Sequence, residues 1–319
     1  MSTVRVPDAV PTPNQDSEAL RKAFQGWGTD EKAIIRVLGQ RNAFQRRKIR
    51  EAYRQLYNEL LVDRLFSELS GDFRTAVILW TLDPAERDAK LANEALTKKK
   101  RKIVDQLKPI IEIACATSPQ HLMSVRKFYR ILFNSSLEEA VSCTVSPPLR
   151  KLLMGLVSSY RYEGETVDGD VSKSDATLLH DAMKKKKLDD ENLVWILTTR
   201  SFFQLRATFE FYKQNYGNPI DKDIKKCSSS DLSSILQMAV CCIDTPEKHF
   251  AEVVRASIVG LGTDEASLTR AIVSRAEIDM MKVRGEYFNA NKCSLDNAVI
   301  GDTSGDYKDF LMTLLGAKI

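Results

Sequence analysis

The sequence lacks several features that define familiar protein classes. It contains no run of about 18 apolar residues, which excludes a conventional transmembrane helix. Its first residues contain no short apolar stretch of the signal-peptide type, so we expect no signal peptide. Its six cysteines show no CxxC spacing, which predicts a reducing, cytoplasmic setting rather than a disulfide framework. Any membrane contact is therefore expected to be peripheral and reversible.

Residues that carry common catalytic chemistry are also scarce. The three histidines are not at metal-ligand spacings or beside a motif nucleophile, and no GxxxxGK[ST] loop occurs. We therefore predict that the protein is not an enzyme. The net charge of +4 is too small to indicate nucleic-acid binding, and the lysine runs lack interleaved aromatic residues. We expect no nucleic-acid partner.

Glycine and proline are few, at 14 and 10 of 319 residues, whereas helix-forming residues are abundant. The segment Asp83–Glu86 has the pattern of a helix start, with a capping residue, Pro at the first position and Glu at the third. Strand-like alternation is scarce. The composition and patterning predict an all-α protein.

The chain is built from four copies of one unit. The stretch "QGWGTDE" (Gln25–Glu31) recurs as "VGLGTDE" (Val259–Glu265). In both copies an Arg and then a Tyr follow the Thr at equal intervals, as Thr29, Arg41, Tyr53 and as Thr263, Arg275, Tyr287. The same frame fits twice between them, and it places its tyrosines at Tyr53, Tyr129, Tyr212 and Tyr287.

Each unit of this length has room for about five short helices. A stretch rich in Gly, Asp and Ser enlarges the spacing between the second and third frame tyrosines and is interpreted as a linker between pairs of units. The predicted organisation is an N-terminal region at 1–13, repeat 1 at 14–85, repeat 2 at 86–161, a linker at 162–175, repeat 3 at 176–244 and repeat 4 at 245–319.

The glycine loop of repeat 1 has the residues of a metal site. Its glycines allow the carbonyls of Phe24, Gly26 and Gly28 to turn to one side, and Glu68 follows in a second glycine-containing loop. Carbonyl oxygens with one carboxylate are hard ligands that suit Ca²⁺. Repeat 4 has the same arrangement, with the same distance in sequence from its second glycine to its acid. Its predicted ligands are Ile258, Gly260, Gly262 and Asp302.

The two middle repeats serve as an internal control. Their loop positions, Lys102–Asp105 and Lys185–Leu188, contain no glycine, and the acid position holds Thr144 in repeat 2 and Cys227 in repeat 3. Both halves of the proposed site are therefore lost together. A purely structural turn, with the acid as an ordinary surface charge, gives no reason for this joint loss.

Three carbonyls and one carboxylate do not fill the coordination shell of calcium, which takes six to eight oxygens. Water or a phosphate oxygen would complete the shell, which predicts a calcium bridge to a phospholipid surface. Trp27, and Leu261 in the same place in repeat 4, are predicted membrane contacts at the loop tips. The alternative is that Trp27 packs on a neighbouring helix. Thr29 is predicted to cap the helix that follows the loop.

The motif pairs "GWGTDE…SELSGD" and "GLGTDE…IGDTSGD" resemble the calcium signature of annexins, in which G-x-G-T is followed at a fixed distance by D or E. The four-unit layout is similar to the annexin core over nearly the whole chain. The restriction of the motifs to repeats 1 and 4 and the short N-terminal region resemble the plant branch. The resemblance implies four five-helix repeats in a curved disc, calcium loops on the convex face and reversible calcium-dependent binding to acidic phospholipid. We also expect self-association on membranes.

The sequence departs from the family pattern at several places. Gln40 replaces a histidine around which plant annexins have been proposed to act as peroxidases, which argues against that activity. The segment Ala116–Ser118 lacks the usual arginine partner of an acid at Asp88, which argues against a family-like ion pathway. Cys115 and Cys242 match a cysteine pair that is redox-sensitive in plant relatives. Buried free thiols are the alternative for these two residues.

Two lysine runs fall at the lost loops of the middle repeats. One is Lys98–Lys102, and the other consists of Lys184, Lys185, Lys186 and Lys187. We expect them to contact an anionic membrane where repeats 1 and 4 use calcium. The alternative for the runs is a solvated surface. Two alternatives for the whole protein also remain, a calcium-regulated membrane conductance and a helical-repeat protein scaffold. Membrane organisation, trafficking and stress signalling are the processes that the prediction suggests.

Overall fold

The computed structural model describes residues 1–26, 28–260 and 262–317, and all regular secondary structure in these residues is helical. Within the described residues, no helix is both long enough and apolar enough to cross a membrane. The predicted membrane contacts Trp27 and Leu261 lie outside the described residues.

Twenty helices are present in the described parts of the chain, five in each of four successive segments. The first five are α1 (Pro13–Ala23), α2 (Glu31–Gly39), α3 (Ala43–Tyr57), α4 (Leu61–Glu68) and α5 (Gly71–Thr81). The next five are α6 (Pro84–Thr97), α7 (Ile103–Cys115), α8 (Pro119–Phe133), α9 (Leu137–Thr144) and α10 (Leu149–Ser158). The third five are α11 (Gly169–Lys184), α12 (Glu191–Thr199), α13 (Phe202–Tyr216), α14 (Ile220–Cys227) and α15 (Asp231–Asp244). The last five are α16 (Pro246–Ile258), α17 (Glu265–Arg275), α18 (Met280–Asn291), α19 (Leu295–Asp302) and α20 (Gly305–Leu314). The predicted all-α fold of four five-helix repeats is confirmed.

Side-chain caps explain where many helices begin. Helix α6 starts at Pro84 as predicted, and the carboxylate of Asp83 accepts a hydrogen bond from the amide of Ala85 at 3.0 Å. Helix α3 has a complete capping box in which Asn42 and Gln45 bond reciprocally. Such caps satisfy amides that have no partner inside the helix.

Helix α11 begins inside the segment that the sequence indicated as a linker. Residues 159–168 lie outside helices, but 169–175 form the first turns of α11. Asp168 caps this helix by accepting hydrogen bonds from Asp170 and Val171, and Asp175 is buried against Arg200 at 2.7 Å. A local composition rich in Gly, Asp and Ser favours a turn, but the cap and the buried ion pair favour helix.

The chain divides into two compact units. The first, called here the terminal unit, consists of Met1–Arg87 and the chain from Phe250 onwards, and holds repeats 1 and 4. The second, called the middle unit, is Asp88–His249 and holds repeats 2 and 3. In the terminal unit, α2, α5, α17 and α20 pack against one another across the two repeats. In the middle unit, α7 packs against α15, and α11 against α13.

The residues that reveal the repeat frame are core residues. Each of the four frame tyrosines is buried, with at most 3% of its surface exposed. In repeat 1, Arg41 makes a two-pronged ion pair with Asp16, at 2.7 and 2.8 Å. Repeat 3 has the same type of pair between Arg200 and Asp175. Packing in the interior therefore fixes the spacing that is visible in the sequence.

Candidate calcium sites

The glycine loop of repeat 1 connects α1 to α2. Gly26 and Gly28 have φ angles of +112° and +86°, in a region that residues with a side chain rarely adopt. The amide of Asp30 donates to the carbonyl of Ala23 at 2.9 Å and closes the loop. A Cβ at either position would meet no neighbouring atom, so glycine is required by the backbone conformation and not by lack of space.

Repeat 4 has the same loop between α16 and α17. Gly260 and Gly262 have φ angles of +139° and +87°, and the amide of Asp264 donates to the carbonyl of Ser257 at 2.8 Å. The two loops therefore share both their backbone conformation and their closing hydrogen bond.

The predicted acids lie at these loops, although they are distant from them in the sequence. The hydroxyl of Thr29 donates to Oε2 of Glu68 at 2.9 Å, and the hydroxyl of Thr263 donates to Oδ2 of Asp302 at 2.6 Å. Each acid ends the fourth helix of its repeat, so one short hydrogen bond joins the helix to the glycine loop. The structure thus brings together the two parts that the sequence paired.

The prediction that Thr29 caps α2 is wrong. The capping residue is Asp30, whose carboxylate accepts from the amide of Ala33, and Asp264 does the same for α17 through Ser267. A carboxylate one residue later in the loop takes the capping position. Thr29 is therefore free to hold the acid, a role that the sequence prediction missed.

A second pair of left-handed glycines follows the two acids in the sequence. Gly71 and Gly305 directly follow the acid-bearing turns, and both have a φ of +60°. The corresponding positions of the middle repeats hold Pro147 and Ser230. The sequence prediction noted that each acid lies in a glycine-containing loop, but it did not predict the conformation of these glycines.

The loop of repeat 3 is closed onto itself. The carbonyl of Met183, which corresponds to that of Phe24, accepts from the amide of Lys186 at 3.0 Å and lies 3.3 Å from the thiol of Cys227. Cys227 occupies the place of Glu68, so a thiol donor contacts the carbonyl where repeat 1 has a carboxylate. Desolvation raises the pKa of the Cys227 thiol, which keeps it protonated and a poor calcium ligand.

The loop of repeat 2 is shortened. Helix α7 begins at Ile103, so Val104, which corresponds to Gly28, lies within a helix. A helical residue has its carbonyl directed along the helix axis. Repeats 2 and 3 have therefore lost the glycine loop in two different ways.

The acid-bearing loops of repeats 1 and 4 face a shared cavity of about 370 Å³. It is lined by matching residues of the two repeats, all in the terminal unit. They are Glu31, Glu68, Leu69, Ser70, Asp72 and Phe73 from repeat 1, and Glu265, Asp302, Thr303, Ser304, Asp306 and Tyr307 from repeat 4. Six of these twelve side chains are carboxylates, which makes the surroundings of both loops attractive to cations.

An arginine that the sequence prediction missed also contacts the repeat 1 site. Nη2 of Arg64 lies 2.7 Å from Oε1 of Glu68 and 3.4 Å from the carbonyl oxygen of Phe24. Position 298, which corresponds to Arg64 in repeat 4, is alanine. This difference is visible in the sequence when α4 and α19 are aligned, because Arg64 is then opposite Ala298.

The donors at both loops suit calcium. Backbone carbonyls and one carboxylate are hard oxygen ligands, and each loop has two left-handed glycines beside its carboxylate. In the described parts of the chain, no group of three or more His, Cys, Asp or Glu side chains is arranged to hold a metal. Calcium, which takes six to eight oxygens, is the metal that a set of carbonyls with a single carboxylate suits.

The remaining predicted residues lie in the middle unit. Lys184, Lys185, Lys186 and Lys187 are all exposed, as are Lys98–Lys102. Cys115 and Cys242 are buried, each with 1% of its surface exposed. Burial raises the pKa of the Cys115 thiol to about 12, so it is un-ionised near neutral pH.

Asp88 has a different basic neighbour from the arginine that the sequence lacks. Nε2 of His121 lies 2.7 Å from Oδ2 of Asp88, which has only 3% of its surface exposed. A histidine carries a positive charge only when it is protonated, whereas an arginine is permanently charged.

Comparisons with known proteins give consistent results. The family model described as "Annexin" matches residues 15–80, 87–156, 174–239 and 249–314. Annexin D3 of Arabidopsis thaliana is 60% identical over the whole of both chains. The solved structure of annexin III has a TM-score of 0.91 at 32% identity, with 100% of this chain and 98% of that chain covered. A calcium-bound annexin (Sm)1 has a TM-score of 0.85 at 25% identity, with coverage of 99% and 93%.

Proposed function

Because the chain belongs to the annexin family, whose general property is calcium-dependent phospholipid binding, we propose that it binds acidic phospholipid through calcium held in repeats 1 and 4. The observation that carries this proposal is the shared site geometry. In both repeats, a loop with two left-handed glycines is bonded through a threonine hydroxyl to an acid at the end of the fourth helix. The middle repeats lack the glycines, the threonine and the acid at the corresponding sequence positions.

The residues proposed to hold calcium supply carbonyls and one carboxylate in each repeat. They are Phe24, Gly26, Gly28 and Glu68 in repeat 1, and Ile258, Gly260, Gly262 and Asp302 in repeat 4. Bound calcium supplies positive charge that a lipid phosphate oxygen can neutralise by completing the coordination shell. The protein's part is to hold the carbonyl and carboxylate oxygens close together before it binds the membrane. Trp27 and Leu261, at the tips of the two loops in the sequence, are the proposed membrane contacts.

The exposed lysines of the middle unit are proposed to assist by direct attraction to anionic head groups. Lys184–Lys187 take the place of a calcium loop, and their charge requires no metal. We further propose a cytoplasmic protein that associates reversibly with membranes and self-associates on them. Annexins are generally not enzymes, and we assign no catalytic residue to this chain.

The test is co-sedimentation with phosphatidylserine-containing vesicles across a calcium titration. Glu68→Gln and Asp302→Asn should each raise the calcium concentration needed for binding, and the double variant should bind almost nothing. Glu51→Gln, at an exposed carboxylate of repeat 1 that pairs with Lys48, is the matched control and should bind like the parent. Full calcium-dependent binding by the double variant would contradict the proposed sites.

The same titration separates the alternatives. A helical-repeat scaffold would not require phospholipid for its calcium response, and its calcium affinity would not rise when vesicles are added. A calcium-regulated conductance would in addition pass ions across a sealed vesicle, which the release of a trapped dye or ion measures.

A further inference from the structure

The sites of repeats 1 and 4 share their glycine loops but differ in their charged neighbours, above all at position 64. Arg64 lies one helical turn before Glu68 on α4, whereas the matching position before Asp302 on α19 is Ala298. No ion pair involves Asp302 among the described residues, but Glu68 is paired with Arg64 at 2.7 Å.

The guanidinium of Arg64 contacts the oxygens that are proposed to bind calcium. A single nitrogen, Nη2, lies 2.7 Å from the carboxylate of Glu68 and 3.4 Å from the carbonyl oxygen of Phe24. The ring of Phe24 lies beneath the same group, 5.7 Å from the guanidinium carbon. A calcium ion that binds Glu68 and Phe24 must therefore take the place of an internal cation on both ligands.

Arg64 is held by charge rather than by a complete set of hydrogen bonds. Its Nε is buried and has no hydrogen-bond partner among the described residues. Its side chain is 29% exposed, so the guanidinium can leave without opening the core. A second carboxylate, Glu59, lies 4.0 Å from Nη1 and offers a nearby position for the displaced charge. Repeat 4 has Cys293 at the place of Glu59, so it lacks both members of this arrangement.

We propose that Arg64 is a built-in competitor for calcium at repeat 1, so that repeat 4 fills at lower calcium and repeat 1 responds at higher calcium. The inference rests on the proposed function, because it assumes that the two loops bind the metal. Its physical basis is that calcium at repeat 1 must displace a positive charge, whereas calcium at repeat 4 meets no described ion pair on its carboxylate. Two loops with the same backbone thereby acquire two calcium thresholds.

The test uses the full chain and calcium chloride alone in a calorimetric titration, with one site removed at a time. In the Asp302→Asn background only repeat 1 remains, and Arg64→Gln should tighten its calcium binding by about threefold to tenfold. Arg64→Lys keeps the charge, and its calcium affinity should lie between that of the parent and that of Arg64→Gln. Arg54→Gln, which removes an exposed arginine of α3, is the matched control and should leave the affinity unchanged.

The reciprocal change is made in repeat 4. In the Glu68→Gln background, Ala298→Arg should weaken calcium binding by about the same factor, because it places an arginine one turn before Asp302. Circular dichroism and thermal unfolding without calcium establish that each variant is folded.

The outcomes for the inference and for the proposed function are distinct. If folded Arg64→Gln binds calcium no more tightly in the Asp302→Asn background, the competitor role is overturned while the sites stand. If the double variant Glu68→Gln, Asp302→Asn still binds calcium like the parent, the proposed sites themselves are overturned. Tighter binding by Arg64→Gln together with weaker binding by Ala298→Arg supports the inference.

Discussion

The terminal and middle units are built from the same five-helix repeat but present different chemistry at equivalent loops. The terminal unit has two glycine loops, each bonded to a carboxylate, and six acids around one cavity. The middle unit has a self-closed loop in repeat 3, a shortened loop in repeat 2 and nine exposed basic residues in two runs. One scaffold thus supports a surface suited to bind a cation and a surface that already carries cations.

The difference shows which residues are scaffold and which are site. The buried tyrosines and the Arg–Asp pairs occur in both units, so they belong to the packing. The glycines, the threonine hydroxyls and the acids occur only in repeats 1 and 4, so they belong to the loops. Variants of each kind should therefore have different consequences.

The largest effect is expected from the scaffold. Asp16→Asn leaves the buried Arg41 without a countercharge and should lower the free energy of unfolding by about 3–5 kcal/mol. Asp175→Asn should lower the free energy of unfolding by less. The side chain of Arg200 is 29% exposed and can be hydrated, whereas that of Arg41 is only 5% exposed. Urea unfolding followed by circular dichroism measures both. Equal costs would show that the two pairs do not differ as their burial indicates.

The next effect comes from giving repeat 1 the residues of the middle unit. Gly28→Lys with Glu68→Cys, which introduces the residues of repeat 3 at these positions (Lys187 and Cys227), should weaken calcium binding at repeat 1 on the order of a hundredfold, because it removes the left-handed glycine and the carboxylate ligand. Calorimetry in the Asp302→Asn background measures the loss. The matched change in repeat 4 is Gly262→Lys with Asp302→Cys, and it should weaken calcium binding by a similar factor in the Glu68→Gln background. If either variant keeps its calcium affinity, the glycine and the acid are not what distinguishes the terminal unit from the middle unit.

A smaller effect is expected from the lysines of repeat 3. Replacement of Lys184–Lys187 by Gln should weaken calcium-free binding to phosphatidylserine vesicles by about tenfold at low salt, because it removes positive charges that are attracted to the anionic surface. The four-arginine variant keeps the charge and should bind like the parent. The difference should disappear at high salt because screening removes the attraction. Unchanged low-salt binding by the glutamine variant would assign the run to a solvated surface.

The smallest effect is expected from the threonines that hold the acids. Thr29→Val removes the hydroxyl that donates to Glu68 and should weaken calcium binding at repeat 1 by about threefold to tenfold. Thr29→Ser keeps a hydroxyl and should retain most of the affinity. Thr263→Val should have the same effect at repeat 4. A clear loss at only one of the repeats would show that the two hydroxyls do not play equivalent roles.

The parts of the site that the sequence predicted follow from local chemistry and from repetition. Gly26 and Gly28 indicated a special backbone because glycine alone tolerates such angles without strain, and the structure has both at positive φ. Glu68 was found through its fixed spacing and its joint loss in the middle repeats. Neither step required knowledge of which helices pack together.

The parts that it missed depend on contacts between distant residues. Thr29 and Asp30 are both good capping residues, and only the geometry shows that Asp30 caps α2 while Thr29 reaches Glu68. Arg64 looked like one of many surface arginines until its contact with Phe24 was known. The start of α11 was likewise decided by the burial of Asp175 against Arg200.

The sequence by itself determined the repeat, its helical class and the pairing of each glycine loop with an acid, because these follow from periodic burial and from the backbone limits of single residues. The tertiary structure alone decided that repeats 1 and 4 form one unit around an acid-lined cavity. It also decided that Glu68 pairs with an arginine whereas Asp302 contacts only a threonine hydroxyl among the described side chains. The packing of α4 and α19, and not spacing along the chain, sets these contacts.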